Sequence, residues 1–203
     1  MNKLITLAES YLGVDLTGRK KLVEYYNENC VELVKPARRY EMTMSDNWCA
    51  MFTSVIAHKV GLDSSAFPYE VSVMEQYELA RKNHSFLDDV SKVAVGDLIM
   101  FDWNGNGHST HVGFISGLSE SHIETIEGNY SGTVKSRYVK PRAACIFGFI
   151  SLPMVDSLGA ENERLDALVE GVMLGLFGNG SERVNLLGSD YEEVQRRVNN
   201  LMK

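Results

Sequence analysis

Cysteine is scarce in this chain, with three among 203 residues. The count is odd and the spacings fit no zinc pattern, so free thiols from a reducing compartment are expected, and neither a disulfide framework nor a metal site. Positive charge is also in deficit, with 20 Lys and Arg against 27 Asp and Glu, a formal charge of −7. There is no basic stripe and no polybasic segment, which argues against nucleic acid and against an anionic membrane surface as partners. No apolar run approaches the roughly 20 residues that a membrane span needs. The opening MNKLITLAESYLG carries Lys3, but Glu9 interrupts an apolar run already too short for a signal core. Leu4, Ala8, Tyr11 and Leu12 share one helical face instead, so the expectation is a first helix and no signal peptide. Low-complexity tracts and repeated units are missing as well. No cofactor is expected.

What is present reads as a globular chain, 44% apolar and 23% charged, with a change of character near residue 152. The stretch 151-SLPMVDSLGAENER-164 carries Pro, Gly and Asn and marks a linker. We therefore expect a first domain over 1–151, a linker over 152–163 and a purely helical appendage over 164–203. Both parts are acidic, with 15 basic and 18 acidic residues before residue 152 and 5 and 9 from there on. In the first domain the pattern predicts helices over 2–12 and roughly 18–34, a third from near Asn47 to Gly61, and a fourth over 73–82. Four short strands follow: 97-DLIMF-101, 111-HVGFIS-116, 122-HIETIEG-128 and 145-CIFGFIS-151. Helices first and antiparallel strands second make an α+β domain.

Within 46-DNWCAMFTSVIAHKVG-61, Cys49 falls in the first turn of the third helix. Unpaired N–H groups and the helix dipole favour a thiolate there. A buried packing thiol is the rival reading, and the one assigned to Cys30 and Cys145. A nucleophile needs a base. Of the five histidines, His58 is on the same helix as Cys49 and cannot fold back to it, and His84 lies in a polar loop. His108 is inside the turn 104-NGNGHST-110, and His122 opens a later strand. His111 opens an apolar strand beside that turn, a rigid position suited to a base. Its second ring nitrogen needs an acceptor. Glu127 and Asn129, two apart at the end of 124-ETIEGN-129, share one face if the strand runs that far.

The runs W-C-A-x-F (48–52), G-D-L-I-x-F (96–101), H-V-G-F-I (111–115) and I-E-G-N (126–129) resemble, in order and spacing, the cysteine, histidine-dependent amidohydrolase/peptidase (CHAP) domain. The resemblance spans roughly 1–151. It implies a papain-like α+β fold and hydrolysis of peptidoglycan, as an amidase or an endopeptidase. By position it makes Cys49 the nucleophile, His111 the general base, Glu127 the third residue and Asn129 the fourth. It also implies an oxyanion hole from the Cys49 N–H, completed by a polar side chain such as Asn47. The turn 102-DWNGNG-107 starts like a calcium loop, but Gly113 stands where the bidentate Glu belongs, so a Gly-rich hairpin is the expectation. Phe67, Tyr69 and Trp103 are candidate groove aromatics, with core packing as the rival role.

In the appendage, Leu165, Leu168, Val169, Val172, Met173 and Leu176 follow helical spacing, 178-GNGSER-183 breaks it, and Ser189 with Glu192 has capping-box register. Tyr191, Val194, Val198 and Leu201 give the last helix one apolar face. Leu174–Arg183 and Leu187–Asn199 resemble the cell-wall-binding repeat of some pneumococcal phage lysozymes, which binds the muropeptide portion of peptidoglycan. That resemblance makes Gly178, Asn179, Gly180, Arg183 and Tyr191 the candidate ligand surface. The family carries such repeats in tandem and this chain has one, so a homo-oligomer through the appendage, or its packing on the first domain, is the expected remedy. Together the two resemblances imply a phage-type endolysin, made in the host cytoplasm and released through a holin-type membrane hole. An antibacterial effector amidase and a catalytically silent wall-binding protein are the alternatives.

Overall fold

The computed structural model describes residues 2–34, 39–154, 165–166, 168–173 and 175–202. It divides into two compact units, Met1–Val155 and Asp156–Lys203. The expected linker 152–163 lies, from residue 155 onward, outside the described residues.

The first unit opens with α1 (Lys3–Glu9) and α2 (Leu16–Asn29), followed by a single 3-10 turn at Val31–Leu33. Both helices are shorter than the sequence pattern suggests. Asn2 caps α1 by accepting from the Leu4 N–H at 3.0 Å, and Asp15 caps α2 through the Thr17 and Gly18 N–H groups. Next come α3 (Cys49–Lys59) and α4 (Val73–Lys82), the latter capped by Ser72. Every α3 side chain from Cys49 to Ala57 is buried, which is what an apolar-all-round helix requires. Gly61 follows it at φ +84°, the left-handed position after a helix that favours glycine.

Six strands form one antiparallel sheet: β1 (Phe86–Leu87), β2 (Leu98–Phe101), β3 (His111–Leu118), β4 (Ile123–Tyr130), β5 (Thr133–Val139) and β6 (Ile146–Ile150). Their spatial order is β1-β6-β2-β3-β4-β5. Helices before an antiparallel sheet make the expected papain-like α+β fold. β1 and β5 add to the four strands that the sequence pattern marks. β5 reads TVKSRYV, and its polar outward positions hide the alternation that would announce a strand. A bulge interrupts the β4–β5 register between Glu127 and Tyr130.

α3 lies against β3 and β4, and Phe52 is the principal contact. Its ring meets Tyr11 and Phe114 edge-on at centroid distances of 6.1 Å and 6.3 Å, an arrangement the ring quadrupoles favour. On the opposite face of the sheet, Ile99, Phe101, Ile115, Ile123, Val139 and Phe149 form a second core. At the start of β2, the buried Asp97 accepts from the Ala94 and Leu152 N–H groups at 2.8 Å each, and so closes the end of this unit onto the sheet.

The second unit has helical residues at 165–166 and 168–173 (α5), then α6 (Ser181–Leu187), a 3-10 turn at Gly188–Asp190 and α7 (Tyr191–Leu201). Leu165, Val169, Val172, Leu187, Val194 and Val198 form its core. Two expectations need correction. Leu176 and Leu201 are 72% and 69% exposed, because the chain turns at 175–177 and Leu201 is the last residue of α7. α7 starts at Tyr191 behind Asp190, not from the Ser189–Glu192 box.

At Gly128 helix and sheet approach closely, since a Cβ placed there would lie 2.4 Å from the Phe52 Cβ. Gly128→Ala is expected to lower unfolding free energy by about 1–3 kcal/mol through overpacking. Chemical denaturation of the variant against the parent checks this.

Candidate active site

α3 is the exception among the first unit's four helices. Side chains cap α1, α2 and α4, whereas the residue before Cys49 is Trp48, which caps nothing. The N–H groups of the first turn of α3 are therefore left without a side-chain acceptor, beside the Cys49 thiol. Trp48 is fully buried and serves as an anchor. The buried Arg19 lies 5.7 Å from the Trp48 ring centroid and donates to the Thr43 and Asp46 carbonyls, so α2 fixes the loop that delivers Cys49. Cys49 itself is 4% exposed.

His111 is the first residue of β3 and sits where the strand meets the α3 N-terminus. Its Nε2 and Glu127 Oε2 are 2.8 Å apart, and the Cys49 thiol is in hydrogen-bond contact with the same ring. With Nε2 engaged by the carboxylate, Nδ1 is the nitrogen left for the thiol. Burial lowers the His111 pKa, but the hydrogen bonds and charges of Cys49 and Glu127 outweigh it and carry the ring from 6.5 up to about 9. The ring thus holds its proton at neutral pH, as half of a charged pair.

Glu127 is fully buried, so its carboxylate depends on the groups around it. Oε1 accepts from the Thr125 hydroxyl at 2.6 Å, and Oε2 accepts from Arg137 Nη2 at 2.9 Å as well as facing His111. Gly113 makes the room: a Cβ there would lie 2.5 Å from Glu127 Cγ and 2.9 Å from the Ile126 carbonyl oxygen. Thr125, Arg137 and Gly113 are site residues that the sequence reading misses. Thr125 was legible, two residues from Glu127 on the same strand face. Arg137 was not, because no local pattern marks β5.

Asn129 does not share the face of Glu127, contrary to the alternation expected. It sits in the bulge at φ +61°, and its Nδ2 donates to Asn47 Oδ1 at 3.2 Å. That bond leaves the Asn47 amide nitrogen available two residues before Cys49. The other histidines are accounted for elsewhere. His58 Nδ1 pairs with the Tyr25 hydroxyl at 2.8 Å, and His122 Nδ1 lies 3.0 Å from the Ser119 and Ser121 hydroxyls. His84 and His108 are exposed. Phe67 and Tyr69 are core residues at 1% and 2% exposure, whereas Trp103 is 44% exposed and stacks on Phe101. Asp102 turns its carboxylate into its own loop, accepting from the Asn104 and Gly107 N–H groups at 3.1 Å and 2.7 Å.

In the second unit, Gly178 and Gly180 adopt φ +59° and +57°, which favours glycine in the Gly-Asn-Gly turn. Arg183 Nη2 donates to the Gly178 carbonyl at 2.8 Å and to Asn179 Oδ1 at 3.1 Å, while its Nη1 donates to Gln195 Oε1 at 3.0 Å. Arg183 therefore binds the turn to α7. Asn179 is exposed and Tyr191 half-buried against the core.

Residues 22–129 match the CHAP domain family, and residues 166–202 match the CW_7 repeat, a cell-wall-binding unit. The first match contains Cys49, His111 and Glu127 and ends on Asn129. Comparisons with curated proteins and with solved structures return no match.

Gly113→Ala is expected to displace Glu127 from His111 and cost about a hundredfold in turnover, the scale of a small misplacement at a reacting group. The parent protein is the reference, with circular dichroism showing that the variant folds. Initial rates of wall solubilisation check the difference.

Proposed function

The chain belongs to the CHAP domain family, and on that footing we propose that it is an endolysin in which Cys49 is the nucleophile. The CHAP domain together with the CW_7 repeat supports a cell-wall hydrolase, a peptidoglycan amidase or endopeptidase. What carries the cysteine mechanism is the contact chain from the Cys49 thiol through the His111 ring to Glu127. The raised proton affinity of His111 changes its role at rest. In this reading the ring takes its proton from the Cys49 thiol, so the imidazolium acts first as general acid toward the departing amine.

The Cys49 thiolate attacks the amide carbonyl and forms a C–S bond while the carbonyl electron pair moves to oxygen. The Cys49 N–H and the Asn47 amide, oriented by Asn129, are the proposed donors to that oxyanion. Collapse breaks the C–N bond, and His111 gives its proton to the departing amine. His111, now neutral, takes a proton from water, the hydroxide adds to the thioester, and the thiolate leaves with the proton returned to the ring pair.

Gly178, Asn179, Gly180 and Tyr191 form the proposed muropeptide surface of the repeat, with Arg183 as the strut that shapes it. A single repeat holds the wall weakly, so self-association through the second unit is part of this reading. Among the described residues no helix is long and apolar enough to cross a membrane. From the host cytoplasm, the wall would then be reached through a hole made by a partner protein.

Digestion of purified Gram-positive peptidoglycan, read by mass spectrometry, tests the mechanism. The parent is expected to release soluble fragments with new amino termini, and Cys49→Ala to lose at least about a thousandfold in rate while still sedimenting with the wall. Equal release by both would end the thiol mechanism. No release by either, with sedimentation intact, would favour a silent wall-binding protein.

A further inference from the structure

Arg137 lies outside the CHAP match, which ends at residue 129, yet it touches the same carboxylate oxygen as the catalytic histidine. It stands on β5 opposite Thr125, in the row of side chains that contains Glu127. Three rings fix its guanidinium, at 3.9 Å from the Tyr130 centroid, 4.6 Å from Trp103 and 5.6 Å from Phe101. Its Nε is buried with no hydrogen-bond partner among the described residues, so the rings and Glu127 hold the group in place. The side chain is 20% exposed.

We infer that Arg137 is a positioning residue that shares Glu127 Oε2 with His111 and thereby limits how tightly the catalytic imidazolium holds its proton. The inference rests on the proposed thiol mechanism and adds a control to it. Two cations contend for one oxygen. If the carboxylate answered to His111 alone, the imidazolium would be more stable and a poorer acid toward the departing amine. The fixed positive charge of Arg137 draws part of the carboxylate's field away and also opposes the imidazolium directly.

The titratable and charged neighbours of His111 can be named from each side. α3 presents Cys49 and β4 presents Glu127. β5 presents Arg137 through Glu127, while its Lys135 lies 5.6 Å from the Tyr130 centroid. From the β2 side come Phe101, 6.0 Å away between ring centroids, and the Asp102 carboxylate, which is turned into its own loop. Arg137 is thus the cation that meets the histidine's own acceptor.

The test uses the full chain with Arg137→Gln and Arg137→Lys. Glutamine keeps a donor for Oε2 and removes the charge, whereas lysine keeps the charge and loses the fork. Peptidoglycan hydrolysis is followed against pH, and at each pH the alkylation of Cys49 by iodoacetamide is read by peptide mass spectrometry. In Arg137→Gln the alkaline limb is expected to move up by about half a pH unit or more, with a lower plateau. In Arg137→Lys it is expected to stay in place. A uniform loss in Arg137→Gln with the limb unmoved, or a limb moved down, overturns the inference. A shifted limb in Arg137→Lys overturns it independently, which covers the case in which the glutamine variant fails to fold by circular dichroism. If the parent hydrolyses the wall but Cys49 is no more reactive than Cys145, the thiol mechanism itself is wrong and the inference falls with it.

Discussion

A carboxylate with no access to water is the constraint around which the first unit is arranged. Burying Glu127 alone would be prohibitive, and each neighbour answers that cost. Thr125 satisfies one oxygen, His111 and Arg137 face the other, and Gly113 removes the side chain that would occupy the same space. In return, the buried charge holds the imidazole in one orientation and keeps it protonated beside the thiol. Thr125 and Glu127 belong to β4, His111 and Gly113 to β3 and Arg137 to β5, so three adjacent strands must be in register before the histidine is set.

The helix side of the site follows a complementary logic. Three helices of the first unit close their N-termini with Asn2, Asp15 and Ser72, while α3 leaves its own without a side-chain cap. Stability lost by the missing cap is restored by burial, since Trp48 and the α3 side chains as far as Ala57 lie in the core. Phe52 carries that burial onto β4 at Gly128, between Glu127 and Asn129. The same contact ties the helix that begins with Cys49 to the strand that carries Glu127. Asn129 turns away from Glu127 toward Asn47, which divides the end of β4 between the contact with His111 and the contact with the loop before Cys49.

Cys49, His111 and Glu127 were legible because each is announced locally: a thiol at a helix start, a histidine at a strand start after a Gly-rich turn, a carboxylate on the next strand. The order of motifs then tied them together. What local pattern could not convey was long-range pairing. β5 carries Lys135, Ser136 and Arg137 between the buried Val134 and Val139, which are an odd number of residues apart, so period-two hydrophobicity fails and Arg137 stays hidden. The bulge that turns Asn129 depends on how β4 meets β5 and defeats simple alternation. In the second unit, Leu176 and Leu201 fit the helical spacing, but Leu176 falls in a turn and Leu201 is the exposed last residue of α7. Arg183, a candidate ligand residue by resemblance, directs its hydrogen bonds to the Gly178–Asn179 turn and to Gln195.

The central claim is that His111 is held as an imidazolium by Cys49 and Glu127 together. It is tested most directly by following the ¹⁵N shifts of the His111 ring through a pH titration. The account predicts a midpoint near 9 in the parent protein and a fall toward 6.5 in both Cys49→Ala and Glu127→Gln. A parent midpoint at or under 6.5 that neither substitution moves would contradict it.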